Sequence, residues 1–315
     1  MSDRRTYTSE SARELLEAMD DRSDVITGGR VWELVEEWIS FSARFLLLES
    51  GGERIAIKLG TNWDGDTVGY VASETRRVGK LMVGLPSGRV VMPGVLGVAT
   101  NPPALALEYH HGTPLFTALS SLAESERSTV LRLCGEAIGA FHAAEEVPDD
   151  PRIGAAASRE LHATARRSGV NSGMVRRTEP RLGRARSYRF SPNDFLLTGD
   201  GSLVLLDPPH VQKFDYVHRD VASFFMELHR ALIGERRPAG DGEVRALRLG
   251  QAAFLEGYRD AGGKALDRAE DRWAIELFQV GRVVGVVRGR LRSGLGGPAW
   301  RALSWAWWLR RQMSA

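Results

Sequence analysis

Residues 45–49 are a short strand-like run, Phe-Leu-Leu-Leu-Glu, and apolar and polar residues alternate over 54–59, with Ser50-Gly51-Gly52-Glu53 between them. Two strand-like runs on either side of a glycine turn predict a β-hairpin. Residues 68–82 switch to helical spacing, with charges on one face. Residues 9–20 predict one short helix. Residues 89–92 and 105–109 read as strands, and Pro102-Pro103 breaks the chain just before the second. Residues 1–109 are therefore expected to form a β-rich unit with an internal helix.

After Tyr109 the pattern changes. Gly112-Thr113-Pro114-Leu115 reads as a turn, and residues 124–144 predict a strong amphipathic helix with Ser120 or Ser121 as its cap. Residues 151–186 are polar and rich in arginine, with weak periodicity; His162 sits in a helix candidate, and residues 166–186, with seven arginines, read as a loop-rich insertion. Residues 195–198 and 203–206 predict a second hairpin around Gly199-Asp200-Gly201-Ser202. From Val217 the spacing is helical to the end. The expected class is α+β with two lobes: residues 1–109 small and β-rich, residues 110–315 larger and helical. No internal repeat or low-complexity tract is present.

Composition narrows the function classes. The 315 residues are 43% hydrophobic, enough for a real core, and the formal net charge is only +2. That balance supplies no basic field for nucleic acid. The single cysteine, Cys134, sits in an apolar helical pattern and reads as a small buried hydrophobe. It allows no intrachain disulfide, which fits a reducing compartment. No apolar run is long enough to span a bilayer and no signal peptide is evident, so the expected location is the cytoplasm.

Several stretches carry chemistry. Ile55-Ala56-Ile57-Lys58 ends an apolar strand on a lysine, and Glu74 follows 16 residues later on the predicted helix. Leu105-Ala106-Leu107-Glu108-Tyr109 precedes the Gly112-Thr113-Pro114-Leu115 turn. The helix over 124–144 carries Phe141-His142. Residues 189–197 read Arg-Phe-Ser-Pro-Asn-Asp-Phe-Leu-Leu, followed by the second hairpin and Asp207. His218-Arg219-Asp220-Val221-Ala222 comes next.

In this order the motifs resemble the aminoglycoside and choline kinase family of phosphotransferases, which has a protein-kinase-like fold. The resemblance covers residues 45–230, with the catalytic-loop region at 187–222. It implies ATP and magnesium as cofactors. Lys58 would contact the nucleotide phosphates, and Glu74 would hold Lys58 in register. Glu108 and Tyr109 would form the hinge that meets the adenine edge. Ser40 and Ser42 would cover the phosphates from a loop that lacks glycine, where Cβ atoms hinder close backbone approach. Asp207 would bind metal, and Asp220 would be a structural carboxylate. His218-Arg219-Asp220 is not a protein-kinase catalytic motif, because it follows Asp207 in the chain.

The catalytic loop departs from the family pattern. Aligning Ser191-Pro192 with the family's His-Pro places Ser187-Tyr188-Arg189 on its His-Gly-Asp. The proton acceptor is then Arg189, which stays protonated and cannot be a general base. Arg189 could instead clamp an anion. The metal-binding Asn falls on Asp194, which keeps an oxygen ligand and could take over as base; a loop one residue shorter would put Asn193 there. Pro208-Pro209 replaces the usual Phe-Gly or Phe-Glu after Asp207 and removes two backbone donors.

Two functions follow. One is a kinase acting on a hydroxyl of a small molecule or of a peptide Ser/Thr. The other is a pseudokinase, a non-catalytic module that binds a nucleotide, peptide or partner protein. A different nucleotide transfer on the same fold is a weaker third. Near the C-terminus several arginines accompany Trp300, Trp305, Trp307 and Trp308; packing of the indoles on the helical lobe is favoured over a membrane surface, a peptide or an acidic partner. The histidines show no zinc spacing. No Walker, Rossmann or Gly-x-Ser-x-Gly motif occurs.

Overall fold

The computed structural model describes residues 7–20, 23–39, 43–144, 147, 151–170, 172–179, 182–188, 190–206 and 214–312. Its contacts divide these residues into two units, described separately below. One comprises described residues within 7–83, 91–111 and 204–206, and the other those within 84–90, 112–203 and 214–312.

The first unit opens with α1 (Ser9–Glu17), capped reciprocally: the Ser11 N–H donates to Thr8 Oγ1 and the Thr8 N–H to Ser11 Oγ. Helix α2 (Asp24–Thr27), β1 (Glu33–Ile39), β2 (Ala43–Ser50) and β3 (Glu53–Gly60) follow. Gly51 and Gly52 hold φ of 57° and 86° at the β2–β3 turn, a left-handed pair that residues with a Cβ resist. The expected hairpin is therefore present. Helix α3 (Gly65–Val83) covers the predicted helix, and β4 (Val90–Val91) is shorter than the strand read at 89–92. Strands β5 (Val95–Thr100) and β6 (Pro103–Glu108) complete an antiparallel sheet of order β1-β2-β3-β6-β5.

Alternation along the strands sorts side chains to two faces. Leu46, Leu48, Ile55, Ile57, Ala104 and Ala106 form one cluster with Leu15 and Leu16 of α1. Leu105 and Leu107 face the other way, against Val68, Val71 and Ala72 of α3. Lys58 has the opposite parity to Ile55 and Ile57, so it shares the α3 face.

The second unit contains β7 (Thr113–Pro114), α4 (Leu115–Ala118) and α5 (Glu124–Ala144). The bounds of α5 match the sequence pattern, but its cap does not. Ser120 and Ser121 lie too early, and their hydroxyls donate back to the Thr117 and Ala118 carbonyls. The Glu126 carboxylate accepts the Ala123 N–H instead. Helix α6 (Pro151–Arg167) contains the helix candidate around His162, and α7 (Ser172–Thr178) lies within the stretch expected to be loop-rich. The buried stripe of α6 is Ala157, Leu161, Thr164 and Ala165, too poor in large apolar residues to stand out in the sequence.

Strand β8 (Arg184–Arg186) leads to a short 3-10 helix (Pro192–Asp194), then to the hairpin β9 (Phe195–Leu197) and β10 (Leu203–Leu205). The Asp200 carboxylate accepts from the Ser202 N–H and hydroxyl inside the hairpin turn. Strand β11 (Phe214–Tyr216) pairs with β8. Four helices follow: α8 (Val217–Leu232), α9 (Asp241–Asp260), α10 (Ala269–Arg292) and α11 (Gly296–Gln312).

Helices α5 and α9 touch through glycines. A Cβ at Gly135 would lie 2.0 Å from the Phe254 carbonyl oxygen, and one at Gly139 2.2 Å from that of Tyr258. Cys134 is buried on α5, as its setting suggested. On α11, Trp305 is buried in a cluster with Met226, Val280 and Val283, whereas Trp300 and Trp307 are exposed. Packing therefore explains some of the indoles and not all of them. Among the described residues, no helix is long and apolar enough to cross a membrane.

Candidate functional site

In the first unit, β3 and α3 carry the two residues on which phosphate binding would depend. Lys58 is 4% exposed, and its ammonium lies 5.8 Å from the Phe45 ring centroid and 5.5 Å from that of Trp63. Those distances fit cation–π contact on two sides. The tight turn below it requires Gly60, where a Cβ would strike the Trp63 ring at 2.2 Å. Glu74 is 8% exposed on the buried face of α3, beside Val71, Thr75 and Val78. Its carboxylate accepts from both Nε and Nη2 of Arg77, at 3.2 and 3.0 Å. This fork fixes the carboxylate plane. Arg77 and the two rings are parts of the site that sequence reading missed. The i,i+3 spacing of Glu74 and Arg77 was the available signal.

Glu108 ends β6. Its N–H donates to the Gly94 carbonyl at 2.9 Å, and its carboxylate accepts the Gly94 N–H at 2.9 Å. Both groups are thus used within the unit, so a hinge role rests on the remaining main-chain groups of 108 and 109. The Tyr109 ring stands 6.0 Å from the Arg54 guanidinium.

In the second unit, Ser187, Tyr188 and Phe190 are each held by specific contacts. The Ser187 hydroxyl donates to Asp220 Oδ1 at 2.6 Å and the Tyr188 N–H to Asp220 Oδ2 at 2.8 Å. Beyond it, Phe190 is buried edge-on against Phe141, with centroids 5.3 Å apart, and against Tyr188 at 4.7 Å. Asp220 also meets His142 Nε2 at 3.2 Å, and His142 Nδ1 meets the Tyr258 hydroxyl at 2.8 Å. Burial alone would push the Asp220 carboxyl up. The hydrogen bond and charge of His142, with Ser187 and Tyr188, hold it below its usual range. Asp220 is the buried structural carboxylate that its motif implied, and the buried His142 links it to the Tyr258 hydroxyl.

Asp194 closes the 3-10 turn. Its Oδ2 accepts the Ser191 N–H at 2.6 Å while Ser191 Oγ accepts the Asn193 N–H. One carboxylate oxygen is therefore committed to the loop. Ser40, Ser42, Arg189 and Asp207 lie outside the described residues, as do Pro208 and Pro209. Among the described residues, no group of three His, Cys, Asp or Glu side chains is placed to hold a metal ion.

No family model matches the sequence, and no curated protein matches it. Solved structures do. A protein from Ralstonia eutropha JMP134 described as an aminoglycoside phosphotransferase aligns with a TM-score of 0.60 at 11% identity, over 98% of this chain and 99% of its own. A choline/ethanolamine kinase family protein from Mesorhizobium loti aligns at 0.56 and 15% identity, over 97% and 96%. An amicoumacin kinase in complex with AMP-PNP and Ca2+ aligns at 0.53 and 12% identity, over 89% and 85%. The chain therefore has an α+β, protein-kinase-like fold. Its version of that fold is the one found in aminoglycoside phosphotransferases and choline kinases, as the ordered motifs suggested.

Proposed function

We propose that the protein is a kinase-like phosphotransferase that binds ATP with magnesium and transfers phosphate to a hydroxyl of a small molecule or of a peptide Ser/Thr. The observation that carries this reading is the buried Lys58, flanked by two aromatic rings on the α3 face of the sheet, with the buried Glu74 on α3. A strand-end lysine presents a compact positive charge of the kind that binds phosphate. Similar folds accept nucleotides: one structural neighbour is a complex with AMP-PNP.

In this reading Lys58 neutralises phosphate charge and Glu74, held by Arg77, orients it. Glu108 and Tyr109 offer main-chain groups to the base, and Ser40 and Ser42 cover the phosphates. Asp194 and Asp207 would hold the magnesium, which offsets charge on the phosphate oxygens when bound. Phosphoryl transfer has a loose transition state in which positioning and charge stabilisation supply most of the catalysis. A missing general base lowers the rate by roughly 10²–10⁴-fold without abolishing it. Arg189 supplies positive charge at the loop and no base.

One observation favours a second reading, a pseudokinase that binds a nucleotide, peptide or partner protein without transfer. Asp194, the residue that would replace the base, has an oxygen engaged by the Ser191 N–H. Incubation with γ-labelled ATP, magnesium and a panel of aminoglycosides, choline and hydroxyl-bearing peptides separates the two. Label on any acceptor, lost in Lys58→Ala, supports transfer; nucleotide binding with no labelled acceptor supports the pseudokinase.

A further inference from the structure

A cavity of about 380 Å³ opens among α8, α9, α10 and α11, all within the second unit. Its volume falls in the range of small-molecule sites, ~300–1,000 Å³. None of its lining residues belongs to the phosphotransfer site. Its walls are largely apolar, with Phe225, Leu247, Ile275 and Leu309 contributing. The His229 ring stacks on Trp305 with centroids 4.5 Å apart and tilts against Trp308 at 5.6 Å.

One polar group on these walls is buried without a partner. The Trp305 indole N–H makes no hydrogen bond among the described residues, on a residue that is 2% exposed. The Gln279 amide and the half-buried Glu276 carboxyl lie on the same wall. Buried polar groups are normally satisfied. An unsatisfied indole N–H on the wall of an apolar cavity describes a site that a ligand completes.

The charge and donor pattern sets the ligand's sign. The charged groups facing Glu276 are Arg272, one turn before it on α10, and Arg248 from α9. From α8 comes His229, whose Nε2–H donates to the Arg236 carbonyl at 2.7 Å and whose burial pulls it down to about 4, so it is neutral. Helix α11 presents only Trp305, Trp308 and Leu309. Burial pushes the Glu276 carboxyl up to about 7 despite Arg272, so near neutral pH much of it carries a proton and donates. With Glu276 protonated, the wall offers the Arg272 guanidinium and the Trp305 N–H as donors to an anionic head.

We infer that this cavity binds a small amphipathic carboxylate, its apolar body against the indoles and aliphatic side chains and its head held by Arg272, the Trp305 N–H and the Gln279 amide. The inference does not depend on phosphotransfer. A bound carboxylate beside Glu276 favours the protonated carboxyl, so binding takes up a proton at pH 7.5.

The test is titration calorimetry of the full chain with sodium decanoate below its micellar concentration, with decanol and decylamine as controls. Buffers of different ionisation enthalpy report the proton. Decanoate is expected to bind at one site at least about tenfold tighter than decanol, with proton uptake. Arg272→Ala, at an exposed position, and Trp305→Phe, which keeps the ring, should each weaken it about fivefold or more. Glu276→Gln should abolish the proton uptake. Decanoate binding no tighter than decanol, decylamine binding tightest, or unchanged affinity in both variants would each overturn the inference.

Discussion

The Asp220 carboxylate on α8 accepts the Tyr188 main-chain N–H at 2.8 Å, one residue before position 189. With Ser187 and His142 it ties the chain just before position 189 to helices α5 and α8. Asp220→Asn keeps the shape but turns one acceptor into a donor, leaving Ser187 or Tyr188 unpaired. Breaking such a buried charged cluster costs about 3–5 kcal/mol. The folded carboxyl is depressed, so its stabilisation is present above the ordinary carboxylate value and is lost as pH falls through the folded one. Urea melts from pH 7 to pH 3 should show the gap between wild type and variant shrinking on acidification. A gap independent of pH would contradict the role given to the charge.

Gly135 and Gly139 let α5 lie against α9. Helix propensity alone favours alanine over glycine by ~1 kcal/mol. At Gly135 the added Cβ would meet the Phe254 carbonyl oxygen at 2.0 Å, and backbone cannot yield as a side-chain tip does. Overpacking of this kind costs ~1–3 kcal/mol. Gly135→Ala is expected to lower the urea midpoint; a raised midpoint would mean that the helices separate freely.

Much of this fold could be read from the residues. The β2–β3 hairpin was legible because alternation and Gly51-Gly52 agree, and α5 because its apolar stripe is long. Strand β5 was not, since Gly97 interrupts it where Met19 packs close, with Sδ 3.0 Å from the Cβ position. Edge strand β1 is mostly exposed and carries Glu33, Glu36 and Glu37, so no buried face marks it. Helix α6 hides behind alanines. At the candidate site, Lys58, Glu74 and Asp220 were picked out by resemblance to the family's motifs, and the burial expected of Asp220 is found. The Arg77 fork, the Trp63 ring and the capping bond of Asp194 were not, because they depend on side-chain direction rather than order.

Glu74 has a partner in Arg77, which separates two roles by mutation. If Glu74 orients Lys58 for phosphate, Glu74→Gln weakens ATP binding severalfold while Arg77→Ala weakens it less. If Glu74 serves only to pair with Arg77 on α3, both variants lose similar stability and neither affects the nucleotide. Parallel ATP titrations and melts of the two variants decide this.

Glu276 gives a pH signature of its own. Its folded value is raised to about 7, so its stability contribution is intact below the ordinary carboxylate value and is lost as pH rises through about 7. His229 runs the opposite way: burial lowers it to about 4, so stability is lost as pH falls from its ordinary value toward that one. Glu276→Gln should match wild type near pH 4 and melt at a higher temperature at pH 8. Equal melting temperatures at pH 8 would show that the carboxyl is well solvated.

The most direct measurement is titration calorimetry of ATP, with and without magnesium, into wild type, Lys58→Ala and Asp207→Ala. Binding strengthened by magnesium is expected in wild type. Lys58→Ala should weaken it at least about tenfold, some 1.4 kcal/mol, and Asp207→Ala should remove the magnesium effect. Failure of wild type to bind ATP, or equal affinity in all three proteins, would contradict the nucleotide site on which the phosphotransferase reading stands.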